Sequence, residues 1–185
     1  EALAKNQPLL LLHGGDAWQG SGYFKLNEGM ANAELLSQFG LDAMALGNHE
    51  FDLDNQKLAR FIQGVNFPVL AANLDSRDDP DLSRASNLKP FVIYAFDGNQ
   101  KSPVTDLDHL PADKQLVAVI GLVLEDMANI SPNVGKLRFA KEVASAQATV
   151  DLLQARGINR IVALTHIGNA RDLALAAKVN GLDAI

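Results

Sequence analysis

The sequence predicts an α/β fold made of one compact unit. Short apolar runs alternate along the chain with segments whose apolar residues have helical spacing, which is the pattern of strands and helices in layered α/β proteins. Of the 185 residues, 48% are hydrophobic and 21% are charged, a composition typical of a soluble protein with a hydrophobic core. The length fits one domain, or a piece of a larger one, since domains contain about 100–200 residues.

Short continuous apolar runs indicate the strands, because such runs are too short for helices and match strands that are buried on both faces. They lie at residues 8–12, 43–46, 67–71 and 160–164, and two longer β-rich runs lie at 90–96 and 116–124. Only a polar segment, residues 97–114, separates the two β-rich runs. We therefore expect a β-rich middle within the otherwise alternating order.

Apolar residues at helical spacing predict the helices. The segments are 30–39, 54–63, 139–156 and 169–179, with the last turn of another helix at 1–5. The residues expected to face inward are Leu35, Leu36 and Phe39; then Leu58, Phe61 and Ile62; then Phe139, Val143, Ala146, Val150 and Leu153. Gly40 and Gly157 are expected to end two of these helices, because glycine favours the left-handed conformation at helix ends. The glycine-rich stretch after residue 12 and the polar stretch 73–89 are predicted to be loops.

Charge and composition exclude several classes of function. Lys and Arg total 16 and Asp and Glu total 22, which gives a net charge of −6. Without a basic stripe, binding to a nucleic acid polymer is not expected. The absence of cysteine rules out a disulfide framework and a cysteine-ligated zinc site. No uninterrupted apolar stretch exceeds six residues, whereas a membrane span needs about 20, so no span is expected.

Both ends of the sequence look like cut points. The chain begins with Glu1 rather than Met, and an apolar run opens after Gly181 just before the last residue. We expect the chain to be part of a longer protein, because truncated core elements stabilise a fold poorly. Natural ends that fray are the alternative.

Polar side chains of metal-binding types follow three of the expected strands. They are Asp16, Asn48, His49, Asp52 and His166. Ligand sites in α/β sheets gather beyond the carboxyl ends of the strands, so these five are in a position to converge. Asp, Asn and His together suit a divalent cation such as Mn²⁺, Zn²⁺, Co²⁺ or Fe²⁺.

Each of these residues also has a purely structural interpretation. Asp16, in a glycine-rich turn, would bond the backbone two residues on. Asp52 or Asp54 would cap the helix at 54–63. His166 would be a hydrogen-bonded core histidine. The functional interpretation depends on their joint position and on one motif.

That motif is Gly-Asn-His-Glu-Phe-Asp at residues 47–52. Together with Gly15-Asp16 about 30 residues earlier and Thr165-His166 much later, it closely resembles the 5′-nucleotidase lineage of the calcineurin-like metallophosphoesterases. The resemblance extends along the whole chain and includes residues 67–74 and 119–122.

The resemblance implies a fold and a site. The fold would be a sandwich of mixed β-sheets flanked by α-helices. Asp16 would bridge two divalent metal ions (Zn, Mn, Co or Fe), and Asn48 and His166 would ligate the second. His49 would be the catalytic histidine and Asp52 its partner on the other ring nitrogen. Such a centre holds two cations about 3.5–4 Å apart and activates a water for attack on phosphorus.

The activity implied is that of a 5′-nucleotidase or a UDP-sugar hydrolase, acting on a small nucleotide or another phosphoester. By the same resemblance the protein would be periplasmic or extracellular. One alternative is an inactive metallophosphoesterase-like module that binds a ligand or partner. Another is a 2′,3′-cyclic nucleotide phosphodiesterase or a sulfur-ester hydrolase of the same superfamily, because the motif does not separate these activities.

The sequence also departs from the family pattern. The family's Asp-x-His strand would precede residues 8–12, and its Gly-His-x-His or Gly-His-x-Gln segment would follow Ile185; residues 1–185 contain neither, nor the C-terminal nucleotide-binding domain. We therefore expect a single partial catalytic domain, at most one weakly held metal and little activity from the chain alone. An unpaired sheet edge would favour strand-swapped oligomers. His13 stands where the family more often has a small or acidic residue before Gly-Gly-Asp, and no role is assigned to it. His109 matches no motif and is interpreted as a surface residue.

Overall fold

The structure is a computed structural model that describes residues 7–185, so the helix expected over 1–5 lies outside the described residues. The helices are α1 (Gly22–Asn27), α2 (Met30–Gln38), α3 (Asn55–Gly64), α4 (Met127–Ile130), α5 (Glu142–Gln154) and α6 (Asn169–Lys178). The strands are β1 (Leu12–His13), β2 (Ala43–Ala45), β3 (Val69–Leu70), β4 (Leu74–Asp75), β5 (Leu88–Lys89), β6 (Phe91–Asp97), β7 (Gln100–Pro103), β8 (Gln115–Val123), β9 (Arg138–Phe139) and β10 (Ile161–His166). Three-residue 3₁₀ turns lie at His49–Phe51, Leu82–Arg84 and Pro132–Val134.

Two four-stranded sheets and one two-stranded ribbon are formed by residues 7–185. The first sheet has the order β1-β2-β3-β5 and is parallel throughout. The second has the order β10-β8-β6-β7; β10 and β8 are parallel and the other pairs are antiparallel. The antiparallel ribbon joins β4 to β9. The predicted β-rich middle is confirmed as the antiparallel half of the second sheet.

The two sheets stack face to face between layers of helices, and β8 shows why. Its side chains point to opposite faces in turn. Ala118 and Ile120 pack with α5 and α6, whereas Val119 packs with residues of the first sheet. The other face of the first sheet is covered by α1, α2 and α3. The resulting order of layers is helix, sheet, sheet, helix.

Gly121 marks the closest approach of the two sheets. Its carbonyl oxygen accepts a hydrogen bond from the N–H of Ala72 at 2.7 Å, and a Cβ added to it would overlap the backbone of Leu70. Beside this contact, the buried amide of Asn73 bonds both the N–H (3.0 Å) and the carbonyl oxygen (2.7 Å) of Val123, like one more pair in a ladder. The chain leaving the first sheet is thereby fixed to the end of β8.

Most of the predicted elements are confirmed, with Leu58, Phe61 and Ile62 fully buried on α3. The strand predicted at residues 8–12 is mostly absent. The N–H of Leu11 donates a hydrogen bond to the Asp42 side chain at 2.6 Å, and pairing with β2 begins only at Leu12.

Two predictions for the first helices were wrong. Helix α1 lies in the stretch predicted to be a loop, where Ser21 caps it and Phe24 packs on the buried Trp18. Leu35 on α2 and Phe39 at its C-cap are 59% and 69% exposed, because the helix turns the small Ala33 towards α3 and the core instead.

The predicted loop at 73–89 contains two short strands, β4 and β5, and the polar segment between the two β-rich runs contains β7. Phe139 belongs to β9 rather than to the helix that follows it, although Ala146, Val150 and Leu153 are buried as expected. All the helices described between residues 7 and 185 are too short or too polar to cross a bilayer.

We expect Gly121→Ala to lower the free energy of unfolding by about 2–3 kcal/mol, because overpacking a tight core costs roughly this much. Urea unfolding of the 185-residue chain, followed by circular dichroism, measures the change. Gly22→Ala is the matched control: Gly22 begins α1 in open space with an ordinary φ, so this variant should be at least as stable as the wild type. Equal stability of Gly121→Ala and wild type would contradict the sheet contact.

Candidate active site

The carboxylate of Asp16 is the meeting point of three strand ends. It follows β1 in a tight turn in which Gly15 and Asp16 both have positive φ, 98° and 59°. Its Oδ1 accepts a hydrogen bond from the N–H of His49 at 3.0 Å, and its Oδ2 lies 3.1 Å from Nε2 of His166. Only glycine fits before it, since a Cβ on Gly15 would lie 2.6 Å from the backbone nitrogen of Gly47.

His166 reaches this carboxylate from the other sheet. As the last residue of β10, it shares a strand face with Leu164, which packs between the two sheets. Its Nδ1 donates a hydrogen bond to the carbonyl oxygen of Gly14 at 2.7 Å. The proton on the neutral ring is therefore on Nδ1, and the lone pair of Nε2 faces the Asp16 carboxylate. Two acceptors at this distance attract each other only with a positive charge between them, either a proton or a cation.

His49 and Asp52 form a second pair beside the first. His49 Nδ1 lies 2.8 Å from Asp52 Oδ2, and the side-chain amide of Gln19 donates to the same oxygen. The hydrogen bond from Asp52 raises the pKa of His49, and the nearby carboxylate charges add to the effect. The His49 side chain is 42% exposed. Because Nδ1 is engaged, Nε2 is the ring nitrogen that a ligand in solvent can reach.

Glu50 was quoted in the motif but was given no role by sequence reasoning, and the structure shows that it organises the loops. Its side chain is fully buried and accepts hydrogen bonds from three backbone N–H groups: Asp16 at 2.9 Å, Ala17 at 2.6 Å and Gly47 at 2.6 Å. Burial raises the pKa of Glu50, and the three amide donors act in the opposite direction. The spacing of three residues from Gly47, like that of a helix capping box, was the signal available in the sequence.

Asn48 lies between two residues that touch Asp16, namely Gly47 and His49. It precedes the 3₁₀ turn His49–Phe51. This turn is hydrogen-bonded to residues 131–133, a segment to which the sequence analysis assigned no structure. Ser131 Oγ donates to the carbonyl oxygen of Phe51 at 2.6 Å, and Asn133 Nδ2 donates to that of Asp52 at 2.8 Å.

The structural alternatives have mixed outcomes. Asp54, not Asp52, caps α3, with its Oδ1 accepting from the N–H of Lys57 at 2.9 Å. The Asp16 carboxylate bonds His49 rather than its own turn. His109 is exposed and pairs with Asp106, as expected for a surface residue.

The donors around Asp16 fit a divalent cation in type. They are one carboxylate and one imidazole nitrogen that face each other. Asn48 directly precedes His49, whose N–H bonds the same carboxylate. Within residues 7–185, no group of three or more His, Asp or Glu side chains is arranged to hold a metal ion. The metal set implied by the family resemblance therefore needs Asn48 and donors beyond these.

Comparison with known proteins identifies the family, although no protein-family model matches the chain. The chain is 34% identical over 192 residues to the trifunctional nucleotide phosphoesterase protein YfkN of Bacillus subtilis, covering 95% of this chain and 13% of that protein. It is 33% identical over 186 residues to the 5′-nucleotidase of Diplobatis ommata, covering all of this chain and 30% of the relative. The solved structure of the 5′-nucleotidase precursor from Thermus thermophilus superposes with a TM-score of 0.82 at 33% identity, covering 98% of this chain and 32% of that one.

Along its whole length this chain matches one region of proteins of the 5′-nucleotidase family. It spans about a third or less of the length of these three proteins. The predicted class, an α/β fold with mixed sheets flanked by helices, is confirmed by the structure and by this superposition.

We expect Glu50→Gln to destabilise the chain by about 1–3 kcal/mol, because the new NH₂ group would face a backbone donor and leave buried amides without an acceptor. Urea unfolding measures the loss, and ¹H–¹⁵N spectra should show shifted amide signals for Asp16 and Gly47. Glu34→Gln, at an exposed position on α2, is the matched control and should match the wild type. Wild-type stability in Glu50→Gln would show that the three hydrogen bonds to Glu50 do not stabilise the loops.

We expect Asp52→Asn to lower the pKa of His49, because the substitution removes the negative charge that favours the imidazolium and replaces a charged acceptor with a weaker neutral one. His49 would then lose its proton at a lower pH than in the wild type. An NMR titration of the His49 ring in the metal-free chain measures this. Asp54→Asn should leave the titration unchanged, since Asp54 bonds Lys57 instead; an unchanged midpoint in Asp52→Asn would show that the pair does not govern His49.

Proposed function

We propose that this chain is part of the catalytic domain of a metal-dependent phosphoric monoester hydrolase of the 5′-nucleotidase type. The observation that carries the proposal is the convergence of Asp16, His166 and the His49–Asp52 pair at one edge of the stacked sheets. The substrate would be a small nucleotide or a related phosphoester, as the names of the matched relatives suggest. The domain assignment covers residues 1–185, and the nucleoside-binding domain of the family lies outside them.

Asp16, Asn48 and His166 would hold the metal ions, with Asp16 shared between two of them. When bound, divalent cations there would polarise the phosphoryl oxygens and lower the pKa of the attacking water. The hydrogen bond from His166 Nδ1 to Gly14 prepares the site, because it keeps the lone pair of Nε2 directed at the Asp16 carboxylate. Second partners of this kind commonly orient a metal-binding histidine.

His49 would act as the proton-bearing group. Asp52 holds Nδ1, so the proton on Nε2 is free to be donated to a phosphoryl oxygen or to the departing oxygen of the ester. The raised pKa keeps the ring protonated to a higher pH than an isolated histidine. The side-chain amide of Gln19 donates to the same oxygen of Asp52 and so helps to orient the pair.

We propose that the longer polypeptide supplies the remaining metal donors from an Asp-x-His strand and a histidine-containing segment, and that it is exported to the periplasm or the cell exterior. Residues 1–185 alone would then hold at most one weakly bound metal ion and would hydrolyse phosphoesters poorly. Strand β1 is at the edge of the first sheet in the described part of the chain, so strand exchange between copies is a further expectation for the isolated chain.

The test compares this chain with the same chain extended through its encoded flanks. Release of phosphate from AMP and from an aryl phosphate, and release of UMP from a UDP-sugar, are measured with Mn²⁺, Co²⁺ or Zn²⁺, together with bound metal. Hydrolysis of AMP by the extended protein but not by the 185-residue chain supports the proposal. A folded, metal-loaded extended protein that hydrolyses none of these substrates would refute it and favour a binding module.

In the extended protein we expect His49→Ala to lower kcat by about 10²- to 10⁴-fold, the usual effect of losing a general acid, while bound metal stays at the wild-type level. Steady-state kinetics and elemental analysis give the two readouts. His109→Ala is the control, because His109 is exposed and outside the site. Loss of metal in His49→Ala would assign His49 to the ligands instead.

A further inference from the structure

His13 ends β1, three residues before Asp16, and neither the family motif nor the roles above use it. Its ring is half-buried, and its Nδ1 accepts a hydrogen bond from the N–H of Gly15 at 3.1 Å. This contact links the last residue of β1 to the middle of the turn at residues 14–16. It gives the Gly15 amide an acceptor at a point where the backbone has left the ladder of β1.

The turn held in this way touches both other parts of the site. The carbonyl oxygen of Gly14 receives the hydrogen bond from His166 Nδ1 at 2.7 Å. Gly15 lies so close to its surroundings that an added Cβ would be 2.6 Å from the Gly47 nitrogen and 3.0 Å from His166 Nδ1. A small change in the backbone at Gly15 would therefore move Asp16 relative to both Gly47 and His166.

The hydrogen bond requires a neutral ring, with the proton of His13 on Nε2 and a lone pair on Nδ1. Burial lowers the pKa of His13, whereas the charge of Asp16 opposes this shift. The neutral ring is the form whose Nδ1 accepts from Gly15.

We propose that His13 is a positioning residue whose Nδ1 fixes the turn at residues 14–16 and so sets the Asp16 carboxylate opposite His166. Its effect on metal binding rests on the proposed function of Asp16 and His166. Its effect on the turn does not, and the two can be measured separately.

The metal-free 185-residue chain provides the first readout. In His13→Asn the Oδ1 atom, which is attached to Cγ as Nδ1 is in histidine, can still accept from Gly15, whereas His13→Ala has no acceptor. We expect ¹⁵N spectra of His13→Ala to show shifted signals for the Gly15 amide and the His166 ring, and those of His13→Asn to resemble the wild type. Unmoved signals in His13→Ala, or equal shifts in both variants, would overturn the proposal.

Metal affinity of the extended protein provides the second readout. We expect His13→Ala to weaken Mn²⁺ binding about 10- to 100-fold, the range found when a partner of a metal ligand is lost, and His13→Asn to restore most of it. His109→Ala should change neither readout. If the extended wild-type protein does not bind Mn²⁺, the proposed metal site is refuted. The ¹⁵N spectra of the metal-free chain then still decide whether His13 fixes the turn. If His13→Ala fails to fold, His13→Gln, whose acceptor is displaced by one bond, replaces it.

Discussion

The carboxylate of Glu50 accepts hydrogen bonds from amides on two different loops, and the geometry of the site depends on that contact. A fully buried carboxylate is costly unless its oxygens are satisfied by donors. Here three backbone N–H groups satisfy them, and the same bonds tie the loop after β1 to the loop after β2. Asp16 is placed against the backbone of Gly47 and His49 because its own amide is one of the three donors.

The stacking of the two sheets brings His166 to the site. A single parallel sheet would align the loops after β1 and β2, but His166 belongs to the other sheet. The close packing of Gly121 on Leu70 and the amide of Asn73 on Val123 fix how the sheets lie on each other. That fixed relation is what allows the last side chain of β10 to meet a carboxylate from the first sheet.

The two histidines of the site are oriented in the same way, through a hydrogen bond at Nδ1, but their partners differ in charge. In each ring Nδ1 is engaged, by a backbone carbonyl in His166 and by the Asp52 carboxylate in His49. A neutral acceptor leaves His166 with a lone pair on Nε2, which suits a cation. A carboxylate favours the imidazolium in His49 and leaves it with a proton to donate. The partner of Nδ1 thus sets what each Nε2 offers: a lone pair in His166 and a proton in His49.

The sequence by itself determined the fold class, the order of the main strands and helices, and the motif residues Asp16, Asn48, His49, Asp52 and His166, because hydrophobic spacing and short motifs are local properties of the chain. Tertiary structure decided the rest. Which face α2 buries, where β1 begins, and why Glu50 and His13 matter all depend on partners distant in sequence or on backbone angles. A buried carboxylate and a surface one look alike in a sequence, and only packing tells them apart.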